Sequence, residues 1–478
     1  MMKRFLSSYF IIPVIILSST IVSCDKESTG PTYLSGKIVN PRNNFIVLND
    51  YQNINDTILL HSDGSFFKKY DYLPAGLYTF SHPNEYQSIY LAPGDSIAMR
   101  LNTRAFDETL AFSGSHNKEN NYLINLFTRL EIENPDLWSH YKNKDHSNFK
   151  SYVDSLRKEE HDRLNSFVKQ HSLDEQFICH AQQVIDFAGW SKLERYAYAH
   201  YGKNDFLRSE DIPNSFFAHR DELNIDNAIL LNNYAYRPYI NSLISHLAFK
   251  RSARSLGSGK EVDRYHIDYH MDRLSIIDSL FKTSSIKDAF AANNTRNFIT
   301  SSKSATDINK LLDRFLSMTS DEKLKSDIAT TASTYISLNP GNMIPDIEIH
   351  NINRDQMNLS DRINKLSVLF FWSDDDREYA VKVHDQIRDL RVKYPEIDFI
   401  GVNLDDANTD QWKMANQRYK FDYDQEFQII NTSPVSEKLA LRNRNRSMII
   451  DKDLMILDPS INLFHYQIET TLLGYINK

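Results

Sequence analysis

The residues best placed to do chemistry form one short run, Ser373-Asp374-Asp375-Asp376-Arg377, directly after the apolar stretch Val368-Leu369-Phe370-Phe371-Trp372. Oxygen-bearing side chains in such a run have two uses. At a helix start they accept hydrogen bonds from unpaired first-turn N–H groups, and the helix dipole favours their charge. As hard donors they suit Ca²⁺ or Mg²⁺, but a calcium loop spaces further ligands along a longer segment, and none follows here. Capping is the expectation, and no metal is assigned. His266 and His270 stand one helical turn apart, a zinc-site spacing. With no glutamate after the first and no evident third ligand, they read as a surface pair. Tyr234, Tyr236 and Tyr239 could offer a sugar or peptide an aromatic platform, although tyrosines packed between helices are commoner. No phosphate-cradling glycine loop, Gly-x-Ser-x-Gly elbow or P-loop occurs, so no catalytic residue and no cofactor is assigned.

The chain has two cysteines, Cys24 and Cys179. Lys3 and Arg4 precede an apolar stretch around Phe10 to Leu17, shorter than a membrane span, which gives way to small and β-branched residues before Cys24. Residues 1–23 therefore read as a secretory signal. Ile21-Val22-Ser23-Cys24 resembles the lipobox of bacterial lipoproteins, in which the cysteine is acylated and becomes the first residue of the mature chain. That resemblance implies a lipid anchor at Cys24, a polar tether over 24–31, and a folded part in the cell envelope. Cys179 is then left with no partner in the chain, and its apolar helical setting predicts a buried, inert thiol.

These elements must sit in a chain of 478 residues, long enough for several domains. A composition of 41% hydrophobic and 25% charged residues, with 13 Gly and 14 Pro, excludes disorder, collagen and a polytopic membrane protein. The formal charge of −8 becomes −10 once residues 1–23 take two bases and no acid with them, which argues against a nucleic-acid partner.

Six of the 13 glycines fall before residue 115, among short β-branched and aromatic runs. Strands are expected at Tyr33–Val39, Phe45–Asn49, Thr57–Leu60, Ser65–Tyr70, Gly76–Ser81, Gln87–Leu91 and Ser96–Leu101, forming a small β-sandwich over 32–115. From 116 to 340 the apolar period lengthens, as in Phe149, Tyr152, Val153 and Leu156 or Ile308, Leu311, Leu312 and Phe315. This predicts an all-α domain of eight to ten helices, with Ser147 or Asn148 and Asp307 as N-caps. Residues 341–478 alternate strand and helix and end in a hairpin turning at Asp451-Lys452-Asp453, an α/β arrangement with helices on both faces. The fold class expected is α+β multidomain.

The last segment resembles the thioredoxin-like domains of the TlpA/ResA type. The residues that carry this are Ile344-Pro345-Asp346-Ile347-Glu348, Leu359-Ser360, the run ending Phe371-Trp372-Ser373, Ile397 to Asp405, and Ser447 to Asp451. Leu91 to Ile97, Phe112-Ser113-Gly114 and Asn120 to Leu123 resemble the small β domain that precedes a helical insert in lipoproteins of this layout. The resemblance implies a Cys-x-x-Cys pair opening the helix after Trp372 and a cis-proline before the strand at Ser447. This chain has neither. Thiol-disulfide exchange needs an attacking thiolate and a resolving thiol, and Ser373, Asp374, Asp375 and Asp376 supply no sulfur. Asn445 stands at the proline position beside Arg446, and a cis bond there would cost about 2.5–4 kcal/mol, so trans is expected. Arg442, Arg444 and Arg446 face the acidic loop in this reading, so an ion pair across the old active site is expected.

The function these features imply is that of a lipid-anchored cell-envelope protein, an outer-membrane lipoprotein facing periplasm or cell surface. Its thioredoxin-like domain would be redox-inactive and act as a binding or assembly module for a protein, peptide or glycan. The alternatives are a family member acting on thiols by another route, through Cys179, and a glycan- or peptide-binding lipoprotein.

Overall fold

The computed structural model describes residues 30–51, 54–82, 85–131, 136–202, 206–257, 259–405, 409–441 and 446–477. Cys24, the signal-like stretch before it, Arg442, Arg444 and Asn445 lie outside the described residues. The described chain is mixed α/β with three sheets and many helices, and it divides into two compact units. One comprises the residues up to Ile132 together with His171–Ala181. The other comprises Glu133–Gln170 and Gln182–Lys478, so most of the helices share a unit with the C-terminal sheet. Among the described residues no helix is long and apolar enough to cross a membrane.

The first unit contains β1 (Thr32–Val39), β2 (Phe45–Asn49), β3 (Asn55–Leu59), β4 (Ser65–Tyr70), β5 (Gly76–His82), β6 (Glu85–Leu91), β7 (Ser96–Asn102), the one-turn α1 (Phe106–Thr109), β8 (Ala111–Gly114) and α2 (Asn117–Glu131). The strands form two four-stranded sheets, β4-β1-β7-β8 and β3-β2-β5-β6. Alternate side chains of both, among them Leu34, Ile97 and Met99 from one and Ile46, Leu48 and Phe80 from the other, share one buried core. Gly64, at φ +79, turns the chain where a Cβ would strike the Ile38 carbonyl. The pair Asn120-Asn121 docks α2 onto the strands. The Asn120 amide accepts from Tyr90 N and donates to its carbonyl at 2.7 and 2.9 Å, and Asn121 does the same to Phe112 at 2.9 and 2.9 Å.

The helices that follow are α3 (Leu137–Asn143), α4 (His146–Gln170), α5 (Glu175–Tyr201), α6 (Tyr236–Leu256), α7 (Ile267–Leu280), α8 (Ser284–Ser301), α9 (Ala305–Leu316) and α10 (Glu322–Ser337). Phe149 and Val153 of α4, and Ile308, Leu311 and Phe315 of α9, are fully buried, as their spacing predicts. The caps lie one turn earlier than expected. Asp145 accepts from the Asn148 amide at 2.8 Å and Ser304 from the Asp307 amide at 3.2 Å, so Asn148 and Asp307 are the third-position donors. Cys179 corrects the sequence reading: it lies on the exposed side of α5, because Phe177 and Ala181, two residues to either side, take the buried face.

The C-terminal segment contains β9 (Glu348–His350), β10 (Gln356–Asn358), β11 (Ser367–Trp372), α11 (Arg377–Lys393), β12 (Asp398–Asn403), α12 (Thr409–Tyr419), β13 (Glu426–Ile429), α13 (Thr432–Lys438), β14 (Ser447–Ile450), β15 (Ile456–Ile461) and α14 (Ile468–Ile476). They form one seven-stranded sheet in the order β10-β9-β13-β12-β11-β14-β15. β11 and β13 run parallel to β12, and β14 is antiparallel to β11. Every side chain of β11 is buried, as a central strand covered on both faces requires. Leu369 and Phe371 enter a core with Leu338 and Val435. Val368, Phe370 and Trp372 enter the opposite core, with α11, α12 and α14.

Candidate functional site

The turn after β11 is built from the strand outward. Trp372 is fully buried, and its carbonyl accepts from Leu404 N at 2.9 Å, which holds the ends of β11 and β12 together. Beyond it, Asp405 organises the turn. Its Oδ1 accepts from the Ser373 hydroxyl at 2.5 Å and its Oδ2 from the Asp374 N–H at 2.7 Å. Asn403 Nδ2 donates to the same carboxylate at 3.0 Å. Asp374 to Asp376 form a single 3₁₀ turn, and Asp376 caps α11, accepting from Tyr379 N at 3.2 Å. Asp374 instead faces Arg377 at 3.6 Å. Of the three aspartates expected to cap, Asp376 does so, and Asp405 is a second, unforeseen anchor.

Beneath this turn lies a polar cluster absent from the sequence reading. Glu426, the first residue of β13, is 1% exposed. It accepts from the Trp372 indole at 2.8 Å and lies 3.1 Å from His384 Nε2. The other ring nitrogen of His384 lies 2.6 Å from the Ala380 carbonyl, and the ring stacks on Phe421 with centroids 3.4 Å apart. Gly401 makes room, since a Cβ there would collide with the Glu426 carboxylate. Each buried polar group finds a partner, as a low-dielectric interior demands. The cluster ties β11, α11 and β13 together under the turn.

Of the three arginines expected to pair with the acidic loop, Arg442 and Arg444 lie outside the described residues, and Arg446 is turned elsewhere. It is buried, and its guanidinium donates to the carbonyls of Pro459 at 2.6 Å and Leu439 at 2.8 Å, with Tyr335 beneath it at 5.4 Å. Burial lowers its pKa. The side chain therefore braces β14 against β15 and α10, while the contacts described for the acidic turn include Asp405 and Arg377. The other candidates are not brought to this turn. Tyr236 and Tyr239 are fully buried around Phe187, which settles the tyrosine cluster as core. His266 is exposed and accepts from the Asp268 amide ahead of α7, whereas His270 is buried against Asn294, so the two are not a surface pair. Cys179 belongs to the other compact unit. Among the described residues no group of three or more His, Cys, Asp or Glu could hold a metal ion.

No family model matches the chain, and neither does any curated protein. Among solved structures, a crystal structure described as a thiol-disulfide oxidoreductase from Bacteroides vulgatus is 19% identical over 29% of this chain and 98% of its own, with a TM-score of 0.26. The thioredoxin domain of a thiol-disulfide oxidoreductase from the same organism is 16% identical over 29% and 98%, at 0.25. A thiol:disulfide interchange protein DsbE from Chlorobium tepidum is 18% identical over 30% and 97%, at 0.25. These neighbours are thioredoxin-like domains, and they span under a third of this chain. Thiol-disulfide exchange is named for them; residues 341–478 here contain no cysteine.

Proposed function

We propose that this is a lipid-anchored cell-envelope protein, held in the outer membrane through Cys24, whose thioredoxin-like segment performs no thiol-disulfide exchange. It serves as a binding or assembly module for a protein, peptide or glycan. The observation that supports this reading is the turn after Trp372: Ser373 and the Asp374 amide are fastened to Asp405, and Asp376 caps the helix. Hydroxyl and carboxylate oxygens supply neither the attacking thiolate nor the resolving thiol that disulfide exchange requires. The purified mature protein, with dithiothreitol as reductant, is expected to reduce insulin no faster than a no-protein control. Turnover above control overturns the reading. If that turnover disappears in Cys179→Ser, the exposed thiol on α5 is its source and the non-standard thiol route takes its place. The anchor is tested separately: a Cys24→Ser variant is expected to lose the mass of the acyl chains and to leave the membrane fraction.

A further inference from the structure

A different part of the second unit carries a binding site of its own. Helices α3, α5, α6 and α7 enclose a cavity of about 620 Å³, within the range of small-ligand sites. A second hollow of about 850 Å³, reaching α8, adjoins it and shares Tyr198, Asn241, Ser245, Arg264 and Tyr269. The first cavity has aromatic walls, with Trp138 60% exposed at one side and Tyr269 4% exposed at another. The Tyr269 hydroxyl is buried and has no hydrogen-bond partner among the described residues.

Charge bears on what this cavity can hold. Arg157, Arg220, Arg254, Arg296 and Arg314 each pair with a carboxylate, as an acidic chain readily allows. Arg195 and Arg264, which line the cavity, form no ion pair among the described residues. Arg195 Nε donates to Ser242 Oγ at 3.2 Å, and Arg264 lies over the Tyr198 ring at 5.5 Å. Arg273, in the adjoining hollow, is held by Asn294 at 2.8 Å and Ser245 at 2.6 Å, again with no carboxylate. Glu194 also lines the first cavity, but its side chain is fully buried and its oxygens are taken by Arg220 at 2.6 Å and His219 at 2.9 Å. His246 is pushed down to about 4 by burial and adds no charge at neutral pH. The exposed acids, Glu261 and Asp263, line only the adjoining hollow. The first cavity is therefore cationic at its mouth, ringed by aromatic faces, and supplied with Asn241, Ser242 and Ser245 as neutral hydrogen-bonding groups.

We propose that this cavity binds an acidic sugar, with the carboxylate of a uronic-acid unit held between Arg195 and Arg264 and the ring lying against the aromatic walls. Guanidinium forks match carboxylates in geometry, aromatic faces suit the C–H face of a pyranose, and the amide and hydroxyls suit its OH groups. The site goes beyond the function proposed above: it lies away from the turn after Trp372, and it stands or falls independently of redox inactivity.

The test is calorimetric titration of the mature full-length protein with digalacturonate, maltose, and the acidic dipeptide Asp-Phe. Digalacturonate is expected to bind saturably, about tenfold or more tighter than maltose or the dipeptide, and Arg195→Met and Arg264→Met are each expected to weaken it by about tenfold. Both arginines are exposed, so thermal midpoints should not move, and Trp138→Ala supplies an independent variant expected to weaken binding through the ring face. Absence of saturable digalacturonate binding at millimolar ligand overturns the proposal. So does equal binding of maltose or the dipeptide, or indifference to both arginine substitutions.

Discussion

Glu426 is the residue on which the interior of the C-terminal segment turns. Its carboxylate serves the Trp372 indole and His384 at once, in a space that only a glycine at 401 leaves open. Glu426→Ala leaves the buried Trp372 indole N–H without its acceptor, at about 1–3 kcal/mol, takes away the carboxylate beside His384, and is expected to lower the urea midpoint strongly. Gly401→Ala is also expected to destabilise, through collision with that carboxylate. The two costs should not add. In the Glu426→Ala background the collision partner is gone, so Gly401→Ala should become nearly neutral in a double-mutant cycle; additive losses would refute the contact. None of this was legible beforehand, since a lone glutamate and a lone histidine 42 positions away carry no local pattern. The chemistry of the acidic run was legible in kind, as oxygen ligands at a helix start. That Asp376 caps, and that Asp405 holds Ser373 and the Asp374 amide, depends on how the ends of β11 and β12 meet.

At the scale of elements, α11 begins where Asp376 accepts the Tyr379 amide, and α9 where Ser304 accepts the Asp307 amide. Replacing either cap with alanine is expected to cost about 1 kcal/mol, read as a shift of the denaturation midpoint, whereas Asp307→Ala, at the donor position, should cost clearly less. An equal loss at Asp307 would restore it as the cap. Seven of the eight strands described in the first unit were legible to within two residues at their ends, because β-branched and aromatic runs stand between Gly or Pro turns, whereas the short β8 carried no such signal. β13 was missed. At four residues, Glu-Phe-Gln-Ile, it has polar side chains on one face that are nevertheless buried, and Gln428 donates to Asn403 Oδ1 at 3.0 Å just as Glu426 serves Trp372. A strand whose polar face turns inward has no signature in hydropathy.

At the scale of the whole chain, polar contacts help join helices to sheet in the second unit. Lys303, just after α8, holds both oxygens of Asp458 on β15 at 2.8 Å, and Arg446 reaches Tyr335 of α10. Acid should loosen this unit. Burial depresses His246 and His270 to about 4, below the ordinary value of 6.5, so between those pH values the unfolded chain binds protons that the folded chain refuses. Their contribution is complete above pH 6.5 and is lost as pH falls toward 4, by about 1.4 kcal/mol per pH unit for each group at most. Urea unfolding at pH 7.5, 6 and 5 is expected to show that decline, and His270→Asn should flatten it; a midpoint unchanged across the range would refute it. By itself the sequence determined the succession of strand-rich, helix-rich and alternating segments, and the lack of any cysteine after Trp372. Periodicity and composition are properties of neighbours along the chain. Only the tertiary structure decided that Cys179 faces outward, that Arg446 is a buried brace, that Tyr236 and Tyr239 are core, and that Glu426 lies under Trp372. Each of these is fixed by which distant backbone closes over a side chain, and burial by remote segments leaves no trace in local spacing.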